Sequence, residues 1–302
     1  LMPDSVYGPA RALCDGLLAR MGVETTFYDP LIGAGITSLV RTQTRVVYLE
    51  SPGSYTMEIQ DIPAICHAIG ELAADQGLPV VRILDNTWAS PVLARPFDWG
   101  VDVSVVALTK YWGGHADLLM GAVVCRDEHW TEVFDVCRQM GLCVGGDDAW
   151  LVLRGMRTLD LRFRQHEAAG VEVASWLQSR PEVARVLHPA FESHPQHALW
   201  KRDFSGANGL FSFELKPEAV PAGRPLAQAL GPLCDYRRHF GIGYSWGGFE
   251  SLIMPARFTR TVAGWKGGPL VRLHVGLEDP KALIADLEEG FEALSRSVRA
   301  TP

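Results

Sequence analysis

The chain has 302 residues, 47% of them apolar and 21% charged, with a formal net charge of −7. That length and balance fit a globular protein of two domains, and the acidic charge argues against a nucleic-acid surface, which needs clustered Lys and Arg. No apolar run approaches the ~20 residues that cross a bilayer, and Leu1-Met2-Pro3-Asp4 has neither the basic nor the apolar region of a signal peptide.

In chain order, Ser5 to Met21 carries apolar residues at helical spacing, with Asp4 placed to cap it. Val23 to Tyr28 is strand-like. Leu31 to Ser38 holds a glycine pair without the third glycine of a dinucleotide loop and reads as a turn, with a short helix over Ile36 to Arg41. Arg45 to Leu49 is a buried strand that ends at Glu50. Asp61 caps a helix whose face is Ile62, Ile65, Cys66, Ile69 and Leu72. Val80 to Leu84 leads to Asp85, Val101 to Leu108 leads to Lys110, and Gly121 to Cys125 makes one more strand.

Beyond these strands, Asp147 to Gly155 reads as a short helix and Leu161 to Ser179 as a long one. His194 and His197 read as members of a surface loop. Gly209 to Leu215 and Leu270 to Val275 read as strands. The last helix is signalled by Asp279 as N-cap, Pro280 at N1, and Leu283, Leu287, Phe291 and Leu294 on one face. Strands alternating with helices imply an α/β protein whose mostly parallel sheet is covered on both sides. A smaller C-terminal α/β domain follows, with the boundary between residues 156 and 157. The cysteines at 14, 66, 125, 137, 143 and 234 form no C-x-x-C pair and read as small core residues in a reducing, cytoplasmic compartment.

Two strand ends carry chemistry. In open α/β sheets ligands bind at the carboxyl ends of the strands. A lysine there is partly desolvated, so its neutral, nucleophilic form is favoured. An acid at one strand end and a lysine at the next suit pyridoxal phosphate, with Asp85 for the ring nitrogen and Lys110 for the aldehyde. Asp85 alone could equally be a helix N-cap or an Asx-turn residue.

Thr109-Lys110-Tyr111-Trp112-Gly113-Gly114-His115-Ala116-Asp117 resembles the cofactor-lysine motif of the cysteine and methionine metabolism family of pyridoxal-phosphate enzymes. Three more stretches point to its carbon–sulfur β-lyase branch. They are Glu50-Ser51-Pro52-Gly53-Ser54 with Thr56-Met57-Glu58, the stretch Tyr244 to Ser251, and Val271 to Asp279. The four motifs are collinear over most of the chain.

The resemblance implies an aspartate-aminotransferase-like fold (fold type I) and pyridoxal 5'-phosphate as cofactor. It also implies cleavage of L-cystathionine to homocysteine, pyruvate and ammonia in methionine biosynthesis. Lys110 would be the Schiff-base lysine and the base for the α-proton, and Asp85 would keep the pyridine nitrogen protonated. Thr109 would bond the cofactor phosphate, and Tyr7 would stack on the ring beside the substrate amine. Arg272 would grip the substrate carboxylate, with Ser245 and Trp246 beside it. His115 reads as structural.

The partners implied are a small amino-acid substrate and further copies of the chain, as a dimer or tetramer, with no nucleic acid or membrane. Sibling activities remain open: cysteine desulfhydrase, γ-lyase and γ-synthase. So does a non-catalytic, truncated member, because the family's N-terminal arm, first strand and phosphate loop have no counterpart here. On that ground the expectation is an anion pocket short of donors, weak cofactor retention and an exposed apolar strip beside the Lys110 strand.

Overall fold

The structure is a computed structural model and describes residues 1–300 other than Tyr236 and Ala263. The chain begins with β1 (Met2–Pro3), α1 (Gly8–Leu13), β2 (Phe27–Tyr28), β3 (Val46–Glu50), α2 (Ile62–Gln76) and β4 (Val81–Asp85). It continues with α3 (Ser90–Leu93), β5 (Val103–Ala107), β6 (Gly121–Cys125), α4 (Asp127–Gln139) and α5 (Gly146–Met156). There follow α6 (Leu159–Gln178), β7 (Val183–Leu187), α7 (His197–Asp203), β8 (Leu210–Leu215) and α8 (Leu226–Cys234). The chain closes with β9 (Phe240–Ile242), β10 (Ser251–Pro255), β11 (Leu270–His274) and α9 (Pro280–Arg299).

The first sheet has the order β3-β4-β5-β6, with the first three strands parallel and β6 antiparallel to β5. Short β-branched runs such as Val103-Ser104-Val105-Val106 suit strands packed between layers. Glu50 and Asp85 stand in register at the ends of β3 and β4. Val47, Leu49 and Leu84 meet Ile62, Ile65 and Ile69 of α2 in one core. Asp61 caps α2 as expected, accepting the Ala64 N–H at 3.2 Å. The β6 edge of the sheet is less covered: Val123 and Val124, on its opposite faces, are about half exposed, and α4 has no buried residue.

The second sheet, β7-β8-β11-β10-β9, is antiparallel except between β9 and β10. Phe211, Phe213, Val271 and Leu273 form its core with Leu177 of α6, Leu230 and Leu233 of α8, and Leu287 and Phe291 of α9. Met57, Trp88, Tyr111, Phe163 and Leu210 form a further core between the two large sheets. Trp88 adds a polar staple, its Nε1–H donating to the Leu210 carbonyl at 3.1 Å.

Several local expectations differ from the fold. Asp4 does not cap α1, whose N-cap is Tyr7. Asp4 instead accepts the N–H groups of Thr261 and Val262 at 2.9 Å and pairs with Arg11 at 2.6 Å. It thereby straps the segment around residue 261 to the start of the chain. Within Val23 to Tyr28 only Phe27 and Tyr28 form a strand, because the partner β1 has only two residues in register. Helix α4 was not predicted, and His194 is buried rather than part of a surface loop. Cys14, Cys66 and Cys234 are core residues, whereas Cys143 is exposed. No helix among the described residues is long and apolar enough to cross a membrane.

Candidate active site

The carboxyl ends of β3, β4 and β5 open into a cavity of about 450 Å³, within the range of small-molecule sites. Tyr7, Glu50, Ser54, Asp85, Thr87, Thr109, Lys110 and Trp246 line it. Five of the seven residues singled out from sequence therefore share one cavity. Ser245 and Arg272 do not line it and adjoin it through the glycine-rich loop.

Lys110 lies in the turn just after β5. Its Nζ donates to Ser245 Oγ at 2.9 Å and lies 5.3 Å from the Trp246 ring. Desolvation, aided by the charge of Arg272 and opposed by Asp85, brings its amine down to about 8. The turn is held from below by Arg162, which donates to the carbonyls of Tyr111 (2.6 Å) and Gly155 (2.8 Å). Gly114 has φ +75°, and a Cβ there would stand 2.2 Å from Arg162 Nη1, so the motif needs glycine at this position.

Asp85 accepts the backbone N–H of Thr87 at 2.9 Å in an Asx-type turn and also accepts the Thr87 hydroxyl. The Tyr48 hydroxyl stands 3.4 Å away. Burial raises the Asp85 carboxyl, and the Thr87 bonds oppose the shift. Thr87 Oγ1 also accepts the Ala107 N–H at 2.9 Å, which ties the end of β4 to that of β5. Thr109 Oγ1 is engaged with the Met120 backbone, donating to its carbonyl at 3.2 Å and accepting its N–H at 3.0 Å. Tyr7 is 41% exposed at the cavity edge.

Arg272 sits in the middle of β11 and is 3% exposed. Two of its N–H groups are engaged: Nη2 donates to the Tyr244 carbonyl at 2.7 Å and reaches Met254 Sδ at 3.3 Å. Its guanidinium lies 4.8 Å over the Tyr55 ring. Among the described residues no carboxylate pairs with it and no acceptor meets Nη1 or Nε. A buried cation in that condition is costly unless an anion joins it. The neighbouring loop is seated on the lysine turn. Gly247 has φ +81°, and a Cβ there would lie 2.6 Å from the Tyr111 nitrogen. The Gly247 N–H is accepted by His274 Nε2 at 3.1 Å, and burial keeps that imidazole neutral, down to about 3.

Sequence reasoning gave no role to Glu50, Tyr48, Thr87 or Arg162. The rule that singled out Asp85, an acid closing a buried parallel strand, applies equally to Glu50. The Asp85–Thr87 spacing is itself a turn signal.

The Cys/Met metabolism PLP-dependent enzyme family matches residues 1–292 of the chain. A protein of Rhizobium johnstonii is 49% identical over 297 residues, covering 98% of this chain and 73% of that one. The cystathionine beta-lyase MetC of Escherichia coli is 43% identical over 298 residues, 96% of this chain and 73% of that enzyme. Among solved structures, the cystathionine gamma-lyase of Lactobacillus plantarum complexed with L-serine superposes with a TM-score of 0.85 at 28% identity, covering 97% of this chain and 75% of that one.

Proposed function

Because the chain belongs to the Cys/Met metabolism family of pyridoxal-phosphate-dependent enzymes, we propose how its residues divide the work of a carbon–sulfur β-lyase acting on L-cystathionine. The observation that carries the assignment is the meeting of a partly desolvated Lys110 amine with the Asp85 carboxylate in one cavity. The residues present fit the cofactor. A nucleophilic amine, an acid on the neighbouring strand and an aromatic ring at the edge suit its aldehyde, ring nitrogen and ring face, and the Thr109 hydroxyl, turned from the Met120 carbonyl, would serve its phosphate.

When bound, pyridoxal phosphate supplies an electron-withdrawing aldehyde and pyridinium that acidify the α C–H of an amino acid. Lys110 Nζ would hold the cofactor through its aldehyde, and the same nitrogen, when free, would take the α-proton of the substrate. Ser245 Oγ, 2.9 Å from Nζ, steers the amine. Asp85, fixed by Thr87, would keep a proton on the ring nitrogen. Arg272 meets the substrate carboxylate with the N–H groups of Nη1 and Nε, which no described protein acceptor engages, and Trp246 and Tyr7 line the approach to the reacting carbon. The net reaction consumes L-cystathionine and water and yields homocysteine, pyruvate and ammonia. The relatives named as cystathionine beta-lyases favour this reading over the sibling activities.

We assign residues 1–156 to the cofactor domain and 157–302 to the second domain, a division supported by the separate four- and five-stranded sheets. We also infer a cytoplasmic homo-oligomer, a dimer or tetramer. Support comes from free thiols at every described cysteine and from Val123, Val124, Trp130 and Phe134, apolar side chains left exposed on β6 and α4.

The test is to incubate the chain with pyridoxal phosphate, reduce with borohydride and map the adduct by mass spectrometry. The adduct is expected on Lys110 and absent from Lys110→Ala, and turnover of L-cystathionine should release pyruvate. An adduct elsewhere, or 2-oxobutyrate as the product, would overturn the assignment.

A further inference from the structure

We infer that Glu50 is a positioning residue for this reaction: as a neutral carboxylic acid it fixes the backbone of Tyr7 and leaves Asp85 the single anion at the strand ends. The link to the cofactor rests on the function proposed above, whereas the proton and the contact with Tyr7 stand on geometry alone. Glu50 closes β3, is 7% exposed and lines the cavity. It stands in register with Asp85 on the neighbouring parallel strand, at a strand spacing of about 4.8 Å. In-register side chains on adjacent strands leave the sheet on the same face, so the two carboxyl groups share one desolvated corner. Two like charges so placed do not both ionise; one proton serves the pair.

The surroundings decide which group keeps it. Asp85 has the Thr87 N–H, the Thr87 hydroxyl and, more distantly, the Tyr48 hydroxyl as donors, and the Lys110 charge acts on it. Glu50 has, among the described residues, only backbone N–H groups: that of Tyr7, donated to Oε2 at 2.9 Å, and that of Ser54. Among the described residues no Lys, Arg or His lies within ion-pairing distance of it. The titratable groups facing it are Asp85, Tyr48 on its own strand, and Tyr7, Tyr28 and Tyr55 from the segments packed over it. None of them is a cation. Burial first, and the Asp85 charge second, push the Glu50 carboxyl well above the usual carboxylate range. Charge therefore settles on Asp85 and the proton on Glu50.

The arrangement serves both neighbours. Tyr7 is the N-cap residue of α1 and makes no side-chain cap, so the bond to Glu50 sets where its N–H points and where the chain enters the helix. A neutral Glu50 also leaves one negative charge to meet one pyridinium, with no second buried anion to compensate.

The test compares the parent chain with Glu50→Gln, Glu50→Ala and Asp85→Asn, first without cofactor. Infrared spectra at neutral pH should contain the C=O stretch of a protonated carboxyl, and Glu50→Gln should remove it. No such band in the parent, or a band that survives Glu50→Gln and disappears in Asp85→Asn, overturns the proposal. Hydrogen exchange at the Tyr7 amide should speed up about tenfold in Glu50→Ala, the loss of one buried hydrogen bond. Glu50→Gln, whose amide oxygen accepts the same bond, should restore protection. Exchange as fast in Glu50→Gln as in Glu50→Ala would also overturn it. Titration with pyridoxal phosphate then separates the two readings. A parent chain that binds none refutes the cofactor assignment, while the infrared and exchange results still decide the role of Glu50.

Discussion

Arg272→Lys keeps a positive charge in the middle of β11 and removes the planar fork. A guanidinium carries five N–H donors. Two, both on Nη2, are engaged with Tyr244 and with the weak acceptor Met254 Sδ, and the three on Nη1 and Nε meet no protein acceptor among the described residues. An ammonium on a shorter, flexible stem cannot present two parallel donors to a carboxylate. Removing one partner of a desolvated charge pair costs about 2–5 kcal/mol. The retained charge holds the loss to the lower half of that range, about 2–3 kcal/mol, or roughly 30- to 150-fold in kcat/KM. The assay is pyruvate release from L-cystathionine, with thermal unfolding run beside it to confirm that the fold survives. A kcat/KM within about threefold of the parent's, at unchanged unfolding temperature, would refute the carboxylate role and leave the burial of Arg272 unexplained.

Capture of pyridoxal phosphate by the cofactor-free chain should quicken as pH rises and level off above about 8, because the neutral amine of Lys110 is the nucleophile and its titration is lowered to that value. Stopped-flow absorbance would measure it, and a rate still climbing toward ~10.4, the ordinary lysine value, would show that the amine is not desolvated. Gly247→Ala combines a left-handed residue, about 1–2 kcal/mol, with overlap on the Lys110–Tyr111 backbone, about 1–3 kcal/mol. Urea unfolding should therefore report a loss of roughly 2–5 kcal/mol, and a change below ~0.5 kcal/mol would show that the loop is not seated on the lysine turn.

How much of this was legible depended on whether the signal was local. The strands leading to Asp85 and Lys110 could be read because each is a short apolar run with a polar residue at its end. The caps at Asp61 and Asp279 could be read because side chain and target lie within three residues. Asp4 looked like the same device, yet its acceptors serve Thr261 and Val262, a tertiary bond that no neighbouring residue encodes. Helix α4 escaped because none of its residues is buried, so no packed face stands out against its polar background. Arg272 drew attention as a charge inside an apolar strand. Its direction, through the Tyr244 carbonyl toward the lysine turn, required the fold.

The strap between Asp4 and Thr261 spans 257 positions, and the bond from Lys110 to Ser245 spans 135. Synthesis runs from the N-terminus at roughly 5–20 residues per second. The lysine turn therefore exists for about 7–27 s before the loop that steers its amine has been made. Over that interval Lys110 has no Ser245 to direct it, Arg272 has not yet arrived to lower its amine, and the seat for Gly247 stands open. The groups that bind and the groups that orient are thus separated in time as well as in sequence. A nascent chain acquires its reactive amine as a geometric fact only when its last third folds back across the first sheet.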